Sequence, residues 1–454
     1  VARFTKSPRK HQCMSAASQK LLPSCRRPIP LKARDDLRAQ SIREPEGEWF
    51  VVKDAVELKY HRLQYEQFAL MKLLDGRRSL DELRGEMTRR FPGFSLSPNE
   101  LQELITDLHG KGLLLSLQRG QGEQLLARSK ERSRRRVRET FSNFLSLRLP
   151  GWDPDRVLAA IDPWVRWMFR PWAAVLAGVL VLSAWLLLLM RFEEFRQDLP
   201  EFREFFGGKN LLLLWLTLAG AKVLHEFGHG LACKRYGGEC HSMGVMLLVF
   251  SPCLYCDVTD SWMLPDKRRR MIISAAGMIV ETVLSAAAIF VWHMTSPGLL
   301  HHLAMNVFFV TTLTTVAFNA NPLMRLDGYY ILADAVGVPN LRQKASHALN
   351  ESFAWRCLGI EIPPDPFPAE IRRPALVGYA AASHIYRWTV TLSICSFLCV
   401  VLKPHGLQSI GIAMAAVALS AAMSGLVLSV VRICQTPRSE PMSIRKVAQT
   451  LSAL

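Results

Sequence analysis

His225-Glu226-Phe227-Gly228-His229 sets two imidazoles four residues apart with a carboxylate between them. On a helix, positions i and i+4 share a face, so both rings can reach one metal ion. Glu226 stands beside them as a candidate general base, able to take a proton from metal-activated water. A catalytic zinc site also needs a third protein ligand and an open position. Asp327 is the candidate, in the stretch Asn319-Ala320-Asn321-Pro322-Leu323-Met324-Arg325-Leu326-Asp327-Gly328. Each motif has a plainer alternative. The first could be a polar helix end, and Asp327 could be a juxtamembrane charge paired with Arg325.

These residues need elements to carry them. After Pro171 the chain holds six apolar stretches long enough, or nearly so, for a bilayer core of about 30 Å. They are Pro171–Met190, Leu211–Cys233, Met271–Met294, Leu303–Asn319, Ala375–Leu402 and Ser409–Val431. His225 and His229 fall near the end of the second and Asp327 just beyond the fourth. Lys234, Arg235, Lys267, Arg268, Arg269 and Arg270 lie between stretches two and three, while residues 295–302 carry no Lys or Arg. Basic loops stay in the cytoplasm. This predicts six spans with both termini cytoplasmic, in a bacterial inner membrane. The two motifs then share one depth. Pro322 breaks the fourth helix, which a membrane tolerates only where the backbone lines a protein-walled or watery cavity.

Two ionisable residues inside the spans ask for partners. Glu281, mid-way along the third stretch, could orient a ligand histidine or pair with Lys222. Cys253 and Cys256 form a lone CxxC pair with Cys240 upstream. Without a second such pair they do not make a metal-site pattern. The scattered cysteines argue against a disulfide framework.

The front of the chain differs in kind. Of the formal net charge of +17, residues 1–44 and 119–148 together supply +14. Lys and Arg next to membrane spans attract anionic lipid, so the bilayer is the expected partner and nucleic acid is not. No apolar run opens the sequence, so no cleavable signal peptide is expected. Residues 1–44 read as basic and disordered, 45–118 as a small folded domain, 119–170 as a basic connector, 171–434 as the membrane domain and 435–454 as a cytoplasmic tail. In the folded part, strand-like runs Trp49–Val52 and Val56–Tyr60 precede three helices. One covers about Tyr65–Leu74. The others start at Ser79 and Ser97 with capping boxes to Glu82 and Glu100. Leu113–Leu117 closes the domain as a strand. The fold class is therefore mainly α: a polytopic α-helical membrane protein of about six spans with a small α+β, winged-helix-like N-terminal domain.

The two motifs together resemble the site-2 protease family of intramembrane zinc metalloproteases. That family pairs HExxH on one span with N-x-x-P…L-D-G on a later one. Here the second motif falls on Asn319, Pro322, Leu326, Asp327 and Gly328. The resemblance implies Zn2+ on His225, His229 and Asp327, with Glu226 as the base. It implies a substrate-binding role for Asn319, on the substrate backbone or the developing oxyanion, and for Asn321. Met324 and Tyr329 depart from the pattern and leave the four central residues intact. Val245–Phe250, strand-like, sits where the family has a membrane-inserted β-loop. The front domain, about Glu48–Ser116, resembles the PqqD-like domains, which capture a leader peptide by strand addition. Bacterial membrane proteins of this arrangement often occur beside HlyD-type periplasmic adaptors, which implies a tie to secretion.

Two functions follow from these readings. One is a zinc metalloendopeptidase acting on a peptide or membrane-protein substrate. The other is a peptide-binding component of an export system. The intact HExxH with Asp327 favours the enzyme. A DNA-binding regulator is disfavoured, because no helix rich in base-reading Arg, Lys, Asn and Gln is present.

Overall fold

The computed structural model describes residues 23–435 except 45–46, 55–58, 93–96, 118–145, 150, 200–207, 249–250, 339, 359–370, 404–405 and 407. The chain divides into two compact units, Val1–Arg136 and Val137–Leu454. The connector expected at 119–170 lies outside the described residues up to 145, as does the tail from 436 onward.

In the first unit, strands β1 (Leu31–Ala33), β2 (Arg38–Glu44), β3 (Gly47–Asp54) and β4 (Lys59–Gln64) precede helices α1 (Tyr65–Leu73), α2 (Leu80–Arg90) and α3 (Pro98–Gly110), and β5 (Leu114–Ser116) follows. β2, β3 and β4 form one antiparallel sheet, and β1 pairs with β5. Both predicted capping boxes are present. Ser79 Oγ accepts from the Glu82 amide while the Glu82 side chain accepts from the Ser79 amide, and Ser97 and Glu100 repeat the arrangement. Leu70, Leu83, Met87, Leu101 and Leu108 are buried in a common core.

Residues 31–44 correct one expectation. They read as disordered from their charge, yet they carry β1 and β2. Leu31, Ala33 and Leu37 pack on that core, and Ile42 is buried. A few well-spaced apolar side chains outweigh the surrounding basic ones once a neighbouring strand offers its edge.

The second unit begins with β6 (Ser146–Arg148), α4 (Asp155–Val165), α5 (Pro171–Met190), α6 (Phe192–Gln197) and α7 (Gly208–Arg235). A hairpin of β7 (Met243–Leu248) and β8 (Ser251–Cys256) follows, and β6 pairs with β7 to complete a three-stranded antiparallel sheet. Then come α8 (Lys267–Met294), α9 (Leu299–Leu313), a π-helical turn (Thr314–Asn319), α10 (Asp327–Val336), α11 (Leu341–Phe353), α12 (Arg373–Leu402) and α13 (Gln408–Gln435). Among the described residues four helices are long and apolar enough to cross a membrane: Pro171–Met190, Asn210–Arg235, Lys267–Met294 and Leu299–Asn319. These match the first four expected spans. The fifth and sixth stretches fold as α12 and α13, with Gln408–Ser420 a shorter apolar run.

Packing among these helices is polar at a few chosen points. Asn210 on α7 and Asn306 on α9 face each other as an amide pair, with Asn306 Nδ2 donating to Asn210 Oδ1 at 3.0 Å. Such interhelical hydrogen bonds hold helices where lipid gives no hydrophobic drive. On the π turn and the break at Pro322, backbone carbonyls lose their helical partners. α12 supplies replacements from one face. Tyr379 Oη donates to the Pro322 carbonyl at 2.8 Å, Ser383 Oγ to the Leu323 carbonyl at 2.7 Å and Tyr386 Oη to the Ala317 carbonyl at 2.5 Å. Positions 379, 383 and 386 recur at helical spacing, so one side of α12 braces the whole irregular stretch. Tyr386→Phe should therefore cost about 1 kcal/mol, the net worth of a hydrogen bond to a half-buried acceptor. The expected result is a lowered unfolding temperature of the full chain in detergent; no shift at all would mean the hydroxyl is dispensable.

Candidate metal centre

α7 carries His225 and His229 one turn apart, and both rings are buried, with residue exposures of 3% and 5%. α10 starts at Asp327, which brings its carboxylate to the same spot from a hundred residues further on. Asp327 Oδ2 lies 3.1 Å from His225 Nε2 and Asp327 Oδ1 lies 3.4 Å from His229 Nε2. The two Nε2 atoms are 3.1 Å apart. One ligand atom from each of the three residues falls within 4.8 Å of the others. Among the described residues this is the group of His, Cys, Asp or Glu side chains able to hold a metal ion.

The donor set fits zinc. Two imidazoles and a carboxylate are the ligand types of three-ligand catalytic zinc sites. Asp327 Oδ2 is buried and has no hydrogen-bond partner although His225 Nε2 is near. Facing lone pairs with no proton well aligned between them suit a shared cation. Behind His229 a carbonyl stands where metal-bound histidines usually have a partner, while His225 Nδ1 makes no aligned hydrogen bond and has Glu281 as a close neighbour. His229 Nδ1 stands 2.7 Å from the Ile273 carbonyl on α8, and His225 Nδ1 faces Glu281 Oε1 at 3.3 Å.

Two glycines allow the approach. An added Cβ at Gly277 on α8 would meet the Nε2 atoms of both histidines at 2.5 Å. At Gly328 it would meet the Ala320 carbonyl oxygen at 2.5 Å, so the chain after Asp327 can fold back tightly on the helix break.

Glu226 is half-buried, directly after His225 in the chain. The alternative pairing of Asp327 with Arg325 is not formed; Arg325 is exposed and its guanidinium lies 5.8 Å from the centre of the Tyr329 ring. Asn319 and Asn321 have partners within the chain. Asn319 is buried and its Nδ2 donates to Glu281 Oε2 at 3.2 Å, while Asn321 Oδ1 accepts from the Leu323 amide at 2.9 Å. Glu281 lies next to both groups named as its candidates, with Lys222 Nζ at 2.6 Å and His225 Nδ1 at 3.3 Å. Of the CxxC pair, Cys256 turns to Cys240, with the two Sγ atoms 3.3 Å apart. The strand expected at Val245–Phe250 overlaps β7 up to Leu248, with 249–250 outside the described residues, and its partner β8 went unforeseen. Sequence reasoning also missed Thr315, whose hydroxyl donates to Glu281, and Thr314, whose hydroxyl is shared between Glu281 and the Thr311 carbonyl.

No family model matches the chain, and no curated protein matches it in sequence. Among solved structures it is similar to the Site-2 Protease from Methanocaldococcus jannaschii, at 16% identity and a TM-score of 0.25, over 58% of this chain and 92% of that chain. So loose a superposition is not evidence of shared function.

Proposed function

We propose that this chain is an integral membrane zinc metalloprotease that hydrolyses peptide bonds in or beside the bilayer. The observation that carries the reading is the meeting of His225, His229 and Asp327 at one buried point, with Glu226 next to it in the chain. His225, His229 and Asp327 would hold the zinc. Bound there, zinc supplies Lewis acidity, polarising a peptide carbonyl and lowering the pKa of water. Glu226 accepts the proton of the attacking water and passes it to the leaving amine. Glu281 and the Ile273 carbonyl hold the two rings with Nε2 forward. Burial of His225 and His229 within α7 strengthens the charge interactions among these groups.

In this reading both termini and the Lys234–Arg270 loop face the cytoplasm of a bacterial cell, the side that the loop charges favour. The first unit is a peptide-binding module of PqqD-like type that delivers or selects substrate. Its antiparallel β2–β3–β4 sheet has edge strands of the kind that strand addition uses.

The deciding experiment uses Glu226→Gln in purified full-length protein. Zinc should remain at one per chain, because Glu226 is not a ligand. Cleavage of a co-expressed membrane-peptide library should fall by about 10²-fold or more, the usual worth of a positioned acid–base group. A variant that keeps wild-type cleavage would end the protease reading, and a wild type without zinc would end it sooner.

A further inference from the structure

Glu281 has no role in the proton transfers, yet it is fully buried in the middle of a long apolar helix. A carboxylate in such a place needs strong partners. It has five, drawn from two other elements. Oε1 receives Lys222 Nζ at 2.6 Å and faces His225 Nδ1 at 3.3 Å, with Thr314 Oγ1 at 3.4 Å, a hydroxyl it shares with the Thr311 carbonyl at 3.3 Å. Oε2 accepts from Thr315 Oγ1 and, at 3.2 Å, from Asn319 Nδ2. Lys222 and His225 lie on one face of α7, three residues apart. Thr314, Thr315 and Asn319 all belong to the π turn below α9. Helix irregularities of this kind are frequent at functional sites. Here the irregularity aims three donors at one carboxylate.

We infer that Glu281, with Lys222 as its counter-charge, is a positioning residue that sets the metal-ligand geometry from both sides. One oxygen steers the His225 ring. The other fixes the π turn, from which the chain runs only eight residues to Asp327. The two ligand-bearing segments, far apart in sequence, thus take their relative placement from a single group. Lys222 is needed because four neutral donors or ring edges cannot balance a charge so deeply buried. This inference rests on the zinc reading of His225, His229 and Asp327 and deepens it.

A plain structural role makes a different forecast. A buried ion pair kept only for packing can be replaced by apolar residues of similar size with little loss, or even a gain, in stability. The test is the double variant Lys222→Met/Glu281→Leu in the full chain in detergent. Zinc affinity is read by chelator competition, and ligand geometry by the visible spectrum after cobalt substitution. The positioning role predicts zinc binding weaker by about 10–100-fold, the usual effect of losing a group that orients a ligand. It also predicts an altered cobalt spectrum in a protein that still folds cooperatively when metal-free. Unchanged zinc affinity with an unchanged spectrum overturns the inference while leaving the zinc site intact. Failure of the zinc reading looks different, since wild type itself would then bind no stoichiometric zinc.

Should the double variant not fold, Lys222→Met/Glu281→Gln answers the same question. It removes both charges and keeps an acceptor oxygen for His225. Partial recovery is expected: zinc affinity between wild type and the 10–100-fold loss, with the cobalt spectrum shifted less. Affinity and spectrum identical to wild type in this variant count against the inference equally.

Discussion

Asp327→Asn is expected to strip zinc from the protein and abolish cleavage. A structural zinc site of four donors yields roughly 10–16 kcal/mol, so each donor accounts for about 3 kcal/mol, or at least about a hundredfold in affinity. Asparagine keeps the shape and loses the anion that balances the ion. The neighbours cannot compensate, because Asp327 is the carboxylate within ligand distance of both Nε2 atoms. Asp327→Glu keeps the charge but reaches a methylene further than a tight tetrahedral site accepts, so partial zinc loss is the expected result. Arg325→Ala serves as the contrast. Arg325 is exposed and sits over the Tyr329 ring, so its removal should leave zinc content at wild-type level. If Asp327 were only a surface partner of Arg325, both changes would be nearly silent, since such a pair is worth about 0–1 kcal/mol. Zinc per chain after dialysis against a chelator distinguishes the two cases. Full retention by Asp327→Asn would mean that α7 and α10 share no ion.

The parts of this site that the sequence disclosed are those with local or compositional signals. HExxH announces itself by spacing within one turn. The first four apolar runs announce their helices because a membrane span requires unbroken apolar length. Pro322 marked the break ahead of Asp327, and the capping boxes at Ser79 and Ser97 marked two helix starts to the residue. What stayed hidden depends on contacts between distant segments. Glu281 could be seen as a buried charge in want of a partner, but which partner depends on how α7, α8 and the π turn come together. The π turn itself has no sequence signature beyond two adjacent threonines. β6 is three residues long and pairs with a strand about a hundred residues away, so no periodicity could expose it. The bracing face of α12 was visible in principle. Tyr379, Ser383 and Tyr386 repeat at helical spacing in an apolar stretch, and hydroxyls so arranged in a span signal carbonyls in need of donors. β1 and β2 were obscured for the opposite reason, since the high net charge of residues 1–44 masked the few apolar residues that anchor them.

Gly277→Ala is expected to be as damaging to zinc as losing a ligand, while helping the helix that carries it. Alanine in a helix interior is favoured over glycine by about 1 kcal/mol, so α8 alone should gain stability. The new methyl group, however, would stand 2.5 Å from Nε2 of His225 and of His229, and 2.6 Å from Cε1 of His225. Those nitrogens are the ones that would face the proposed ion. The rings have little room to withdraw, being buried and backed at Nδ1 by Glu281 and the Ile273 carbonyl. A methyl at that distance therefore occupies the place of the ion or turns the rings off it. Sub-stoichiometric zinc and lost cleavage should accompany an unfolding temperature of the metal-free chain equal to or above that of metal-free wild type. Gly220→Ala makes the control, because it lies on the histidine-bearing helix and an added Cβ there meets nothing within 4 Å. Its zinc should be unchanged, with at most a small gain in stability. The two alanines separate helix propensity from the pocket itself: Gly277→Ala binding zinc as tightly as Gly220→Ala would mean that the metal, if any, sits elsewhere than between α7, α8 and Asp327.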